Sequence, residues 1–182
     1  MRCMTQRRKA ISSVRRWCGC RGFVGSRPTT GTSSDMTENS PDLERFVRAQ
    51  DAGGTYASAL AELRAGSKRG HWMWFVFPQV AGLGLSETAR AYAVSGLPEA
   101  RAYLRHPVLG PRLRECAQAL DSLGTSDPVE VLGSIDATKL RSSMTLFERA
   151  ADDPADAEPF ARVLEHFFGG RRDDATTGIL GS

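Results

Sequence analysis

Leu109, Leu113, Cys116, Leu120 and Leu123 recur at spacings of four, three, four and three, while no segment of the chain alternates apolar and polar residues over four or more steps. The first pattern lays five apolar side chains along one stripe of a helix. The absence of the second, together with the lack of any Asn-Gly or Asp-Gly dipeptide, leaves half-buried strands and tight hairpins without a signal. The chain is therefore expected to be all-α, one compact domain of about seven to eight short helices spanning 40–182.

Other stripes complete the set. Ser40-Pro41-Asp42 reads as a helix start, with a capping hydroxyl, proline at the first helical position and an acid in the first turn. Leu43, Phe46, Val47 and Gln50 follow on one face, and Gly53-Gly54 breaks the chain. Tyr56, Ala59, Leu60 and Leu63 form a second stripe that Gly66 closes. Ser86 opens a short helix to about Val94, Pro98 opens another that ends at His106-Pro107, and Pro111 marks the start of the long stripe. Asp127-Pro128 begins a turn or two, Asp136 precedes a helix, Pro159 starts the last large one and Asp173 or Asp174 caps a final turn. The apolar run Trp72–Phe77 is a strand candidate with no partner to pair with. It reads as a buried helical turn passing into extended chain before Pro78. At six residues it is also the longest apolar run, too short to span a membrane.

Charge divides the chain in two. Residues 1–34 hold eight basic residues and no acid, whereas the remainder carries all 21 acids and a net charge of −5. The segment 1–39 is expected to be a disordered basic tail. Three origins fit it: a translation start placed upstream of the true one at Met36, a basic arm, or a transit peptide. A basic balance confined to that tail gives no reason for the body to bind nucleic acid. The body holds one cysteine, Cys116, expected on the buried stripe, so it has no disulfide framework and suits a reducing, cytoplasmic setting. Cys18-x-Cys20 with Cys3 lacks the ligands and spacing of a zinc site, and Asp152, Asp153 and Asp156 read as solvated linker rather than a calcium loop. His106 and His166 read as structural. No metal and no cofactor is expected.

Two segments concentrate polar chemistry. Lys68-Arg69-Gly70-His71-Trp72-Met73-Trp74-Phe75-Val76-Phe77-Pro78-Gln79 reads either as an aromatic core plug or as a pocket wall, with Trp72 or Trp74 offering a flat face and Lys68, His71 and Gln79 at the rim. Asp136–Phe147 places Asp136, Lys139 and Ser143 on one helical face, and its hydroxyls are poor choices for a plain surface helix. The second segment reads as a solvated face with an Asp136–Lys139 pair, or as a row of donors for an anionic or sugar-like ligand. The body uses arginine 14 times and lysine twice, and both lysines, Lys68 and Lys139, fall in these segments. Lysine is the compact cation, chosen where a guanidinium does not fit.

The motifs Leu43-x-Arg45-Phe46-x-x-Ala49-Gln50, His71-Trp72-Met73-Trp74-Phe75-x-Phe77-Pro78-Gln79, Gly82-Leu83-Gly84 and Lys139-Leu140-x-Ser142-Ser143-Met144-Thr145-Leu146-Phe147 resemble a widespread bacterial family of unknown function, whose members are sometimes labelled calpastatin. The resemblance runs from about Asp42 to Gly181. It implies a compact all-helical domain and brings motif positions without roles. The calpastatin label belongs to a repetitive disordered inhibitor, unlike a body with a full set of core stripes.

Two functions follow as expectations. The first is a small-molecule site for a nucleotide-, phosphate- or ribose-like ligand. In it Trp72 or Trp74 stacks on the base, Lys68, Lys139 and Arg141 meet negative charge, and Ser142, Ser143 and Gln79 hydrogen-bond. His71 or Asp136 is then the candidate acid or base. The second is a protein-interaction or structural module without catalysis. No phosphate-binding loop, dinucleotide fingerprint, nucleophile elbow or His-Glu-x-x-His motif is present.

Overall fold

The computed structural model describes residues 42–181, which belong to one compact unit. The expected tail, the start at Met36 and the Ser40-Pro41 cap lie outside the described residues. In chain order the helices are α1 (Glu44–Asp51), α2 (Thr55–Arg64), α3 (Met73–Val76), α4 (Glu87–Ala91), α5 (Leu97–Arg105), α6 (Leu109–Asp121), α7 (Pro128–Leu132), α8 (Ser134–Ala150), α9 (Pro154–Phe168) and α10 (Asp174–Leu180). A 3-10 turn, Ala52–Gly54, links α1 to α2. The number exceeds seven to eight because α3, α4 and α7 are single turns of four or five residues. No strand occurs among the described residues; a single parallel bridge joins Val80 to Val94.

Helix α8 is the centre of the domain. Every residue from Ser142 to Phe147 is buried, a pattern that only a helix surrounded on all sides can adopt. Helices α5, α7, α9 and α10 supply those surroundings. An aromatic chain ties the layers together. Phe46 of α1 meets Tyr103 of α5 edge-on at 5.2 Å between ring centres, Tyr103 meets Phe147 of α8 at 5.2 Å, and Phe147 meets Phe160 of α9 at 5.9 Å.

The long stripe of α6 buries Leu109, Leu113, Cys116 and Leu120 as its spacing predicts, and burial pushes the Cys116 thiol up to about 12. That thiol is protonated and inert at neutral pH. The helix begins at Leu109 rather than near Pro111. Proline is tolerated in the first turn, where its missing N–H has no partner to lose. His106 Nδ1 supplies the cap instead, accepting from the backbone N–H groups of Val108 and Leu109 at 3.2 and 3.3 Å. Gly110 lets the turn pass its neighbour, because a Cβ there would stand 2.0 Å from the Leu104 carbonyl oxygen.

Other boundaries shift for similar reasons. Helix α1 starts at Glu44, past the proline signal, without a side-chain cap. Helix α9 starts at Pro154, not at Pro159, which lies inside it. Asp153 is its cap, accepting from the Asp156 N–H at 2.9 Å, while Asp152 takes Arg105 and Asp156 takes Arg114. These three acids are therefore helix and ion-pair groups rather than linker. His166 is structural, with Nε2 at 2.9 Å from the Thr125 carbonyl. The loop around α4 is pinned by Arg45, which donates to the Ala91 and Ala93 carbonyls and pairs with Glu99 at 2.7 Å.

Candidate functional site

Glu62, near the end of α2, organises the first dense segment. Its Oε2 accepts from the Arg69 N–H at 2.7 Å, the Gly70 N–H at 2.9 Å and the Trp72 indole N–H at 2.8 Å. Burial opposes its charge, but these donors and the nearby Lys68 outweigh it and hold Glu62 below the usual carboxylate range. The segment is thereby folded back so that Trp72 enters the core and Lys68 lies over it, with Nζ 5.0 Å from the ring centre. Trp72 is thus not available to stack on a ligand. Its face is covered and its N–H is taken.

Asp136, in the first turn of α8, joins the two lysines. Its Oδ2 lies 2.8 Å from Lys68 Nζ and its Oδ1 2.8 Å from Lys139 Nζ. Lys68 also donates to the Gly70 carbonyl at 2.7 Å, and its side chain is only 9% exposed. Lys139 sits over the Trp74 ring at 4.7 Å from its centre. Each lysine therefore rests on its own tryptophan, and one carboxylate bridges the pair. Partial burial raises the cost of charging Asp136, yet the hydrogen bonds and charges of Lys139 and Lys68 more than offset it and keep the group below the usual carboxylate range. With Glu62 close enough to Lys68 to feel its charge, two ammoniums face two carboxylates, and Lys139 is the cation of the group that reaches a cavity.

Lys139 lines a cavity of about 570 Å³. Trp74, Gln79, Leu83, Leu85, Ile135 and Lys139 are among its walls, so α3, the loop into α4 and the first turns of α8 converge there. Lys139 has three N–H groups and gives one to Asp136. Gly84 also lines it and touches α4 closely, since a Cβ there would lie 2.3 Å from the Ala89 Cβ.

The hydroxyl row behaves differently from its expectation. Thr176 Oγ1 donates to Asp173 Oδ2 at 2.7 Å, so the 2.7 Å contact between Ser142 and Thr176 requires Ser142 to give up its own proton. Ser142 borders the cavity but has only lone pairs to offer. Thr145 Oγ1 donates to the Arg141 carbonyl and accepts from the Asp173 N–H at 2.9 Å, and Asp173 caps α10. These hydroxyls dock α10 on α8, which explains their place on a buried helix. Ser143 is fully buried and its Oγ has no partner. It lies deeper along the same helix and is not among the residues lining the cavity. Arg141 pairs with Asp173 at 3.3 Å rather than joining the lysines.

Of the predicted residues, the structure brings Lys68, Asp136 and Lys139 together and sets Lys139, Trp74, Gln79 and Ser142 on one cavity. Trp72, Ser143 and Arg141 belong to packing. His71 is exposed and outside the cavity wall, so it is not placed to act as acid or base on anything bound there. Asp136, held ionised by two ammoniums, is poorly suited to proton transfer. Glu62, Leu85 and Ile135 were not legible as site residues. Leu83-Gly84-Leu85, apolar residues set among glycines, was the one local signal.

Among the described residues, no group of three or more His, Cys, Asp or Glu could hold a metal, and no helix is long and apolar enough to cross a membrane. The architecture defines a class: a single-unit helical domain with a Lys139-lined cavity between short helices. Residues 40–180 match the family described as "Protein of unknown function (DUF1810)", and the chain belongs to it. A solved structure, that of the conserved hypothetical protein Rv1873 from Mycobacterium tuberculosis, is 49% identical with a TM-score of 0.72, covering 76% of this chain and 96% of that one. No curated protein matches.

Proposed function

We propose that the domain binds a phosphate-bearing small molecule of the nucleotide class, and that it binds without catalysing a reaction. The observation that carries this reading is the Lys68–Asp136–Lys139 cluster, which holds the Lys139 ammonium at the wall of a cavity in the size range of small-molecule sites. Lys139 is the anion contact and Gln79 a neutral partner for a phosphate or ribose oxygen. Lys68 and Asp136 act on Lys139, fixing its ammonium over Trp74. The cytoplasm is the compartment we assign, consistent with the single described thiol being buried and unpaired.

The test is a thermal-shift and calorimetric screen of nucleotides and sugar phosphates against the wild type and Lys139→Ala. Wild type should be stabilised, and Lys139→Ala should bind about tenfold to a hundredfold more weakly, the scale of a hydrogen bond to a charged group. Unshifted melting of both proteins would remove this reading. The exposed Leu85 and Ile135 would then favour a protein-interaction module with the same rim as its contact.

A further inference from the structure

Among the described residues four large hydrophobics are exposed, and two of them, Leu85 at 82% and Ile135 at 73%, line the 570 Å³ cavity that Lys139 also lines. Single exposed apolar side chains need no explanation, but two on opposite elements of one charged cavity do. Leu83, Ala89 and Ala175 extend the same apolar wall. The polar supply is smaller: besides Lys139 it comes to the Gln79 amide and the Ser86 hydroxyl, while Thr138 Oγ1 already donates to the Ser134 carbonyl. Ser142 has no proton to donate, and both oxygens of Asp173 are committed, Oδ1 to Arg141 and Oδ2 to Thr176. Lys139 is the cavity's charged donor, and it covers the Trp74 face on its own side.

A ligand rich in hydroxyls would leave most of them facing apolar side chains, each desolvated without a partner. A ligand with one anionic end and a flat apolar body would meet Lys139 with the first and the rim with the second. Resting on the proposed phosphate reading, we infer that the cavity selects phosphate monoesters by their apolar body. A nucleobase or aryl group would lie between Leu85 and Ile135, and sugar phosphates would be bound only weakly. The base-stacking surface is then this aliphatic rim, not either tryptophan.

The experiment measures binding of inorganic phosphate, ribose 5-phosphate, adenosine monophosphate and phenyl phosphate by calorimetry. It uses the full chain, its Leu85→Ser and Ile135→Ser variants, and Lys139→Ala. Both rim positions are so exposed that the serine variants should fold as the wild type does, which melting curves would check. Expected are affinities for the two ring-bearing esters at least tenfold above ribose 5-phosphate. The serine variants should erase that gap while leaving ribose 5-phosphate unchanged, and Lys139→Ala should weaken every phosphate. Equal wild-type affinities for all four with Lys139 dependence retained would overturn the inference and leave the phosphate reading standing. Rim variants that weaken ribose 5-phosphate as much as the ring-bearing esters would overturn it too. If no phosphate binds, or Lys139→Ala changes none of them, the phosphate reading fails and this inference with it.

Discussion

Two of the polar clusters set into the helical core are built to opposite ends. Around Gln50, 1% exposed, every group is answered: its amide donates to the Phe75 carbonyl at 2.9 Å and to the Tyr103 hydroxyl at 3.1 Å, and its Oε1 accepts from Arg112 at 3.2 Å. Arg112 in turn pairs with Asp51 at 2.8 Å and lies over the Tyr56 ring. Charges cancel. Around Asp136 the N–H groups of two ammoniums exceed the acceptors they are given, and a cavity opens beside Lys139. A closed network fixes helices against one another, whereas an open one keeps binding capacity in reserve. Substitutions separate the two by whether they lower stability or binding.

The largest loss of stability should come from Asp136→Asn. An amide presents one acceptor where two ammoniums now converge, so its NH₂ must face one of them, donor against donor. The uncompensated lysines also repel each other. Removing one partner of a buried ion pair costs about 3–5 kcal/mol, and the lower end applies here because Lys139 reaches solvent. Denaturant unfolding would measure it. In a Lys139→Met background the same change should cost about 1–2 kcal/mol less, since a single lysine can use the amide oxygen. Additive losses would mean that the carboxylate does not bridge the lysines.

Acid should act through the same carboxylates. Asp136, Glu62 and Glu99 are all held below their ordinary values, so their contribution is complete above the unfolded-state values of about 4 and is lost as pH falls through the lower folded ones. Melting temperature should be level from pH 7 to about 5 and drop below about 4. Asp136→Asn, with one proton fewer to take up, should show a shallower acid limb. An equally steep limb would remove Asp136 from the account.

Gln50→Leu tests the closed cluster and should cost about 2–3 kcal/mol, because the Arg112 guanidinium loses an acceptor and the Phe75 carbonyl keeps only a 3.4 Å contact from Tyr103. Its ligand response should match that of wild type, because none of these groups borders the cavity. A variant that lost ligand affinity along with stability would show that the two clusters are coupled through α3.

How much of this was legible follows from what each residue answers to. The stripes of α6 and α8 and the buried Cys116 were readable because a helix face repeats locally. The gathering of Lys68 with Lys139 was readable from composition alone, in a body that otherwise uses arginine. Asp136 was expected to pair with Lys139 at i+3, but its second partner lies 68 positions away along the chain. Trp72 and Trp74 look alike in sequence. Only Glu62, which claims the Trp72 indole, sends one into the core and leaves the other at the cavity. The serines misled because hydroxyls on a helix suggest a ligand until α10 is seen to use them. Helix starts failed where a histidine or a preceding aspartate, rather than the nearest proline, supplied the cap.

The smallest effect on stability should come from Lys139→Met, and it bears most directly on whether the second cluster is a site. The substitution gives up an ion pair whose side chains are 21% and 17% exposed and a cation resting on Trp74, each worth about 1 kcal/mol in such settings. In return it removes the repulsion between two ammoniums that share one carboxylate and leaves Lys68 and Asp136 as a neutral pair. Methionine keeps the unbranched stem that packs on the ring. The opposing changes nearly cancel, so unfolding free energy should move by less than about 0.5 kcal/mol while phosphate binding is lost. If stability instead fell by more than about 1.5 kcal/mol, Lys139 would be holding the fold as Gln50 does, and the contrast between a closed and an open cluster would collapse.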